Sequence, residues 1–301
     1  MDNTVHIGTR NSRLAMRQTE LIAMGLEEAV PGIKIMVELR QTAGDKLLDR
    51  PLQDFGGKGI FVSEFEQEIL DGKLDLAVHS AKDLPVNLAG GLAIVGVPLR
   101  EDPRDVLVTM AGRPMGGMKR AVLGTSSPRR KLQVEITGRK LWPHVIIECR
   151  DVRGNIYTRL DKLEKGMYDA LILAAAGIKR LGLEKSNRYQ FQYLDCEEFI
   201  PAGGQGILAV EGREYTETAS FCQKISHGPS WRCLLLERRV LELLDSGCHE
   251  PVGVYAREKE GLMMISGIRE RNGSIYRIQM EDLTGQMEYM AAMAAEGLGG
   301  R

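Results

Sequence analysis

Apolar and polar positions alternate between a strand period and a helix period along most of the chain. Residues 5–8 read as a short apolar strand, followed by a loop and a helix over about 13–29. Residues 33–40 form a second strand. Ile60, Phe61, Phe65, Ile69 and Leu70 fall near helical spacing and predict a helix over 60–70. Residues 74–79 predict a strand, and 92–97 and 106–110 predict two more. Between these last two lies Arg100-Glu101-Asp102-Pro103, a turn-like segment where the chain can cross between lobes. The alternation then returns as strand 120–124, helix 128–137, strand 144–149, helix 155–165 and strand 169–174. Such alternation predicts α/β domains with largely parallel sheets. The last quarter differs. A helical run over 231–244 precedes strands at 252–257, 262–269 and 275–280, joined by turns at Glu260-Gly261 and Asn272-Gly273-Ser274. A Met- and Ala-rich helix over about 284–296 completes a small α+β unit.

Two echoes suggest that the first two lobes are related. Gly59, Gly72 and Asp75 return as Gly154, Gly166 and Asp169, at offsets of 94 to 95 residues. Ile7-Gly8-Thr9 returns as Leu123-Gly124-Thr125 at an offset of 116, which requires an insertion. Two such lobes leave a cleft between them, a natural place for a small ligand.

Composition narrows the function. The 301 residues carry 40 basic and 41 acidic side chains, so no global charge points to nucleic acid or an acidic membrane. The first residues lack the apolar core of a secretory signal, and the longest apolar stretch, 170–178, is too short to span a bilayer. Cys149, Cys196, Cys222, Cys233 and Cys248 are scattered without a CxxC pair. They read as reduced thiols of a cytoplasmic protein, with neither a disulfide framework nor a zinc site. No GxGxxG or Walker A loop supports a nucleotide.

Cations gather where strands run into helices. Gly8-Thr9-Arg10-Asn11-Ser12-Arg13 offers an N-cap at Ser12 and a charge at Arg10, either an ordinary capped loop or an anion site. In Gly124-Thr125-Ser126-Ser127-Pro128-Arg129-Arg130, Ser127 fits the N-cap and Pro128 the first helical position. Two arginines there oppose the helix dipole, a cost that makes sense if an anion binds; the alternative is a solvated basic turn. Arg153 and Arg159 flank a third helix start, and Arg180 follows the small-residue run 174–177, where a ligand can approach backbone. Four Arg-bearing loops exceed the needs of one phosphate and suit a ligand with several carboxylates. His79-Ser80-Ala81-Lys82-Asp83 ends a buried-type strand, where open α/β sheets bind ligands, and Asp83 is its only carboxylate. Cys248 sits on a Gly/Pro loop, either a bland exposed thiol or a nucleophile.

These segments resemble the porphobilinogen deaminase family over nearly the whole chain. The motifs are GTRNSRLAMRQ (8–18), GGKGIFVSEFE (56–66), AVHSAKDLP (77–85), REDPRD (100–105), LGTSSPRRKLQ (123–133), VRGNIYTRL (152–160), LILAAAGIKRLGL (171–183), PAGGQG (201–206) and ERRVLELLDSGCHEPVG (237–253). The resemblance implies two α/β lobes like those of periplasmic binding proteins plus a C-terminal α+β domain. The expected divisions are 1–98 with 205–222, then 103–199, then 228–301. It implies a head-to-tail condensation of four porphobilinogen molecules to hydroxymethylbilane with loss of ammonia, primed by a covalent dipyrromethane cofactor. Cys248 would carry that cofactor by a thioether, and Asp83 would be the catalytic carboxylate. Lys82, Ser80, Thr125, Ser127, Arg129, Arg130 and Arg153 would hold the cofactor, and Arg10, Ser12, Lys58, Arg159 and Arg180 the substrate. A monomer is expected, with porphobilinogen and its pyrrole-chain intermediates as partners and no nucleic acid, membrane or metal. Each pyrrole carries two carboxylates, so a growing chain needs many Arg and N–H donors. Loss of ammonia leaves a cation that a fixed carboxylate stabilises. The chain departs from the family at Glu250, where an apolar residue or Thr is usual, at Ser246, which replaces Gly, and at Pro128. Beside Cys248, the Glu250 charge would raise the thiol pKa and slow cofactor attachment, with His249 as an offsetting neighbour. Competing readings are a two-lobed carboxylate-binding protein without catalysis and the sensor part of a transcription regulator. The latter finds no helix-turn-helix segment here.

Overall fold

The computed structural model describes residues 4–40, 62–246 and 250–300. The first sheet is ordered β2-β1-β3-β10-β4, from β1 (Thr4–Arg10), β2 (Lys34–Arg40), β3 (Leu76–Ser80), β4 (Leu92–Gly96) and β10 (Leu208–Arg213). The second is ordered β7-β6-β8-β5-β9, from β5 (Asp105–Met110), β6 (Arg120–Gly124), β7 (Ile146–Arg150), β8 (Ala170–Ala174) and β9 (Tyr189–Tyr193). β11 (Val252–Lys259), β12 (Leu262–Arg271) and β13 (Ser274–Leu283) form a separate antiparallel meander.

The expectation of largely parallel sheets needs correcting at one strand in each. β10 runs antiparallel to β3 and β4, and β5 runs antiparallel to β8 and β9. The cause is the crossing. The chain leaves the carboxyl end of β4 and enters the second sheet from that same side, so β5 must run away from it. The return from β9 into β10 repeats the geometry. Periodicity missed β9, β10 and the short helices α5 (Ala175–Arg180) and α6 (Glu217–Lys224). β10 is buried at five of its six positions, so it shows no alternation.

The two echoes occupy matching places. Ile7 and Gly8 of β1 pair with Leu76 and Ala77, while Leu123 and Gly124 of β6 pair with Ala170 and Leu171. Asp75 accepts from His6 N at 2.8 Å, and Asp169 accepts from Val122 N at 2.8 Å. Each carboxylate fastens the start of its parallel strand pair. A Cβ on Gly8 would lie 2.5 Å from Leu74, and one on Gly124 2.5 Å from Leu171, so a side chain at either position would have to push its neighbours aside. Gly59, part of the first echo, lies outside the described residues.

α1 (Arg13–Ala29) buries Ile22 and Leu26 against the first sheet, together with Val5, Ile7, Leu76 and Val210. α2 (Ser63–Leu70) covers its other face through Phe65 and Ile69. Positions 60 and 61 of the expected helix lie outside the described residues. α3 (Pro128–Leu141) with Trp142, and α4 (Ile156–Glu164), pack on opposite faces of the second sheet. α7 (Gly228–Leu243) and α8 (Met287–Gly297) close the meander over Val254, Met263 and Ile265. Among the described residues no helix is long and apolar enough to cross a membrane.

Three units meet at Glu237, a fully buried carboxylate on α7. It accepts from Arg100 Nη1 at 2.6 Å, from Gly204 N at 2.6 Å and from Ala256 N at 2.7 Å. Both crossing segments and the meander are thereby tied to one side chain.

Candidate active site

The carboxyl ends of β3, β6 and β8 face the crossing. β3 ends in a 3-10 turn over Ala81–Asp83, which lifts Asp83 into the open while Lys82 stays half-buried. Gly204, with a left-handed φ of +75°, lies against this turn: a Cβ there would sit 2.9 Å from Lys82 N. Ser80 accepts from the buried amide Nε2 of Gln18 at 2.9 Å, so α1 fixes the strand end. Ser12 caps α1, accepting from Ala15 N at 3.2 Å, next to the half-buried Arg10.

On the second lobe, Ser127 caps α3 and accepts from Arg130 N at 3.4 Å, with Pro128 following as expected. The buried Thr125 accepts from Ser127 N at 3.3 Å. The anion that answers Arg129 and Arg130 is internal. Asp105, fully buried, accepts from Arg129 Nη1 at 2.7 Å, from Arg130 Nη2 at 2.6 Å and Nε at 3.0 Å, and from Gln205 Nε2 at 3.1 Å. Burial works against the Asp105 charge, but the two guanidiniums outweigh it and hold its carboxyl well below the usual range. Sequence reasoning missed Asp105 and Gln205 because each sits in a turn-like motif. The signal available was a carboxylate at the head of an otherwise apolar strand.

The guanidiniums of Arg159 and Arg180 are held by backbone carbonyls. Burial pushes the Arg159 guanidinium down to about 10, with Arg130 and Arg153 adding to the effect and Asp83 opposing it. Arg159 Nε donates to Gly154 O at 2.8 Å, and Arg153 is exposed. Burial also pushes Arg180 down to about 10, against the pull of Glu101, while its Nη2 donates to Gly206 O at 2.7 Å. Lys82 is pushed down by burial, with Asp83 opposing. Asp83 of the first lobe therefore acts electrostatically on Lys82 beside it and on Arg130 and Arg159 across the crossing. Arg180 also lines a groove of about 550 Å³ with Arg13, Arg17 and Lys185, away from Asp83. The small-residue run before Arg180 is packed rather than open: a Cβ on Gly177 would meet Ile156 at 2.8 Å.

Two family models match the chain: porphobilinogen deaminase, dipyromethane cofactor binding domain, over residues 5–220, and porphobilinogen deaminase, C-terminal domain, over residues 231–298. The chain belongs to the porphobilinogen deaminase family. Among curated relatives, the porphobilinogen deaminase of Syntrophobacter fumaroxidans is 42% identical over 273 residues, 89% of this chain and 84% of that one. That of Acetivibrio thermocellus is 38% identical over 275 residues, 91% and 90% of the two chains. The Roseiflexus castenholzii deaminase is 42% identical over 280 residues, 92% and 89%. With the family come porphobilinogen deaminase activity, a transferase reaction of tetrapyrrole biosynthesis, and the covalent dipyrromethane cofactor.

Lys58 and Cys248 lie outside the described residues. The two departures beside Cys248 touch one another: Ser246 Oγ donates to Glu250 Oε2 at 2.7 Å, and Arg269 Nη2 donates to the same oxygen at 3.1 Å. Glu250 thus has a cation of its own. Burial pushes the thiols of Cys196, Cys222 and Cys233 up to about 12, and raises that of Cys149, which makes them poor nucleophiles at neutral pH.

Proposed function

We propose that porphobilinogen is deaminated between the lobes at Asp83, with the surrounding cations holding the acetate and propionate groups. The carrying observation is that one open carboxylate acts on Arg130 and Arg159 of the other lobe, while burial depresses Arg159, Arg180 and Lys82. Folding makes these cations costly, and a ligand's carboxylates would offset that cost. The donor set therefore fits dipyrromethane, an acidic molecule. Cys248 would hold it by a thioether, with Lys82, Ser80, Thr125, Ser127, Arg129, Arg130 and Arg153 around it. When bound, it supplies the pyrrole carbon that accepts the first porphobilinogen unit.

Asp83 does the electrostatic work. As the C–N bond of porphobilinogen breaks and ammonia leaves, positive charge spreads onto the pyrrole nitrogen. A carboxylate accepting that N–H binds more strongly as charge develops, so it favours the transition state. Arg10, Ser12, Lys58, Arg159 and Arg180 are read as substrate-binding, with Arg180 at the outer groove. Asp105 grips Arg129 and Arg130, so their proposed role in holding the cofactor would combine positioning with binding.

The proposed domains are 1–98 with 205–222, 103–199 and 228–301. The antiparallel β5 and the return of β10 to the first sheet support lobes like those of periplasmic binding proteins. A monomeric, cytoplasmic enzyme is proposed, in keeping with the free thiols at Cys149, Cys196, Cys222 and Cys233. The test is single-turnover ammonia release by cofactor-loaded Asp83→Asn protein. Removing one preorganised charge costs about 10²–10³ in rate. A rate within a few-fold of wild type would leave Asp83 as a positioning group only.

A further inference from the structure

Ser246 and Glu250 stand at the two ends of the loop that contains Cys248, and both ends are anchored. Asp245 ends α7 with a left-handed φ of 50°, and Ser246 N donates back to Leu241 O at 3.1 Å. On the far side, Val252 N donates to Glu250 O at 2.8 Å and Glu270 N to Pro251 O at 3.2 Å, where the start of β11 lies beside the end of β12. Three residues separate the posts. The side chains then bridge them, with Ser246 Oγ and Arg269 Nη2 both donating to Glu250 Oε2.

Arg269 is an unusual third member. It lies on β12 opposite Val252, is only 5% exposed, and donates through Nη2 to Leu244 O at 3.3 Å as well as to Glu250. Its Nε and Nη1 are buried with no hydrogen-bond partner among the described residues. A buried guanidinium with two unsatisfied donors is expensive, and an apolar residue would fill this sheet position at less cost. Glu250 is its only ion-pair partner among the described residues. The cost is understandable if the pair fixes something that packing alone does not, and what it spans is the cysteine loop.

We infer that Ser246, Glu250 and Arg269 form a clasp that sets the spacing of the loop ends, and that they are positioning residues for attachment of the dipyrromethane. This rests on Cys248 being the attachment site. Attachment from porphobilinogen consumes two molecules. In the first, the aminomethyl C–N bond breaks, a C–S bond forms, and the thiol proton leaves with the nitrogen as ammonia. In the second, a C–C bond forms and the displaced pyrrole proton leaves in the same way. Fixing the separation of the loop ends lessens the ordering that the first addition must impose, so loosening the clasp should slow that addition.

The experiment uses full-length protein produced in cells unable to make porphobilinogen, then mixed with porphobilinogen. The two-pyrrole mass gain is followed by intact mass spectrometry, together with the thermal midpoint. Glu250→Gln should load at least tenfold more slowly than wild type, and Glu250→Asp should recover part of that loss. The double variant Glu250→Val with Arg269→Leu removes the buried charge along with its partner. It should melt no lower than wild type yet still load at least tenfold more slowly. Wild-type loading in Glu250→Gln, or in the double variant, would overturn the clasp. A Cys248→Ser control that still gains the mass would overturn the attachment site, and the clasp with it.

Discussion

Replacing Asp105 by Asn tests whether the paired arginines are fixed from within the protein. Four donors converge on this carboxylate: Arg129 Nη1, Arg130 Nε and Nη2, and Gln205 Nε2, all within 3.1 Å. At about 1.5–3 kcal/mol per charged hydrogen bond, their simple sum would rival a whole domain's stability, so the bonds are not additive. The better guide is the cost of removing one partner of a buried ion pair, about 3–5 kcal/mol. Asparagine keeps the shape but removes the charge and turns one acceptor into a donor facing other donors. At about 4–8 °C per kcal/mol for a unit of about 100 residues, the lobe holding β5 should melt roughly 12–40 °C lower. The chain has two tryptophans, and Trp142 lies in the core of that lobe. In a Trp231→Phe background its fluorescence reports the lobe alone, which avoids assuming one transition for three domains. The acid limb adds a second reading. The Asp105 carboxyl is lowered in the folded state, so its stabilisation is complete above the ordinary value near 4 and fades as pH falls toward the folded one. The gap between wild type and Asp105→Asn should therefore narrow from pH 5 to pH 2. A midpoint within about 3 °C of wild type at pH 7, or a gap that stays constant with pH, would refute this account.

Asp83→Glu keeps the charge but moves it by one methylene, so some turnover should survive and pyrrole-chain intermediates should accumulate, visible by intact mass. Arg180→Leu should raise KM for porphobilinogen by roughly ten- to a hundredfold, from one lost charged contact of about 1.5–3 kcal/mol, while the dipyrromethane mass increment stays; loss of that increment would move Arg180 into the cofactor site. Cys248→Ser should lack the increment, and Cys149→Ser should retain it with near-normal activity. The cofactor-free Cys248→Ser protein should also melt below wild type by roughly 6–24 °C, if two charged contacts of about 1.5–3 kcal/mol are lost at about 2–4 °C per kcal/mol, and equal midpoints would show that the buried cations do not wait for an acidic ligand.

Much of the fold is legible in the chain because local rules decide it. Ser12, Ser127 with Pro128, and Asn155 each cap the helix that follows. The turns at Glu260-Gly261 and Asn272-Gly273 use the left-handed residues that hairpins need. β10 and the direction of β5 were not legible, because strand direction is set by where the chain comes from rather than by its own side chains. Asp83 follows β3 and Arg159 lies in the helix that starts after Arg153, as the sequence predicts, whereas Arg180 ends a short helix whose small residues are packed rather than open. Arg129 and Arg130 look identical to a ligand-binding pair in sequence, yet a carboxylate 24 residues from Arg129 already grips both. Arg100 and Glu237 lie 137 residues apart, a separation at which no spacing rule links two side chains.

The exchange of strands between the sheets bears on how the protein is made. β4 pairs only with β10 in the described sheet, so residues 92–96 have no partner until residue 213 has left the ribosome. At about 5–20 residues per second, that interval lasts roughly 6–23 s. All five strands of the second sheet lie within residues 105–193, so that sheet can complete itself first. The nascent first lobe meanwhile carries β2, β1 and β3 with an open edge on β3, a template for wrong pairing. The lobe that bears Asp83 is thus the last of the two to close and the one most in need of protection during synthesis.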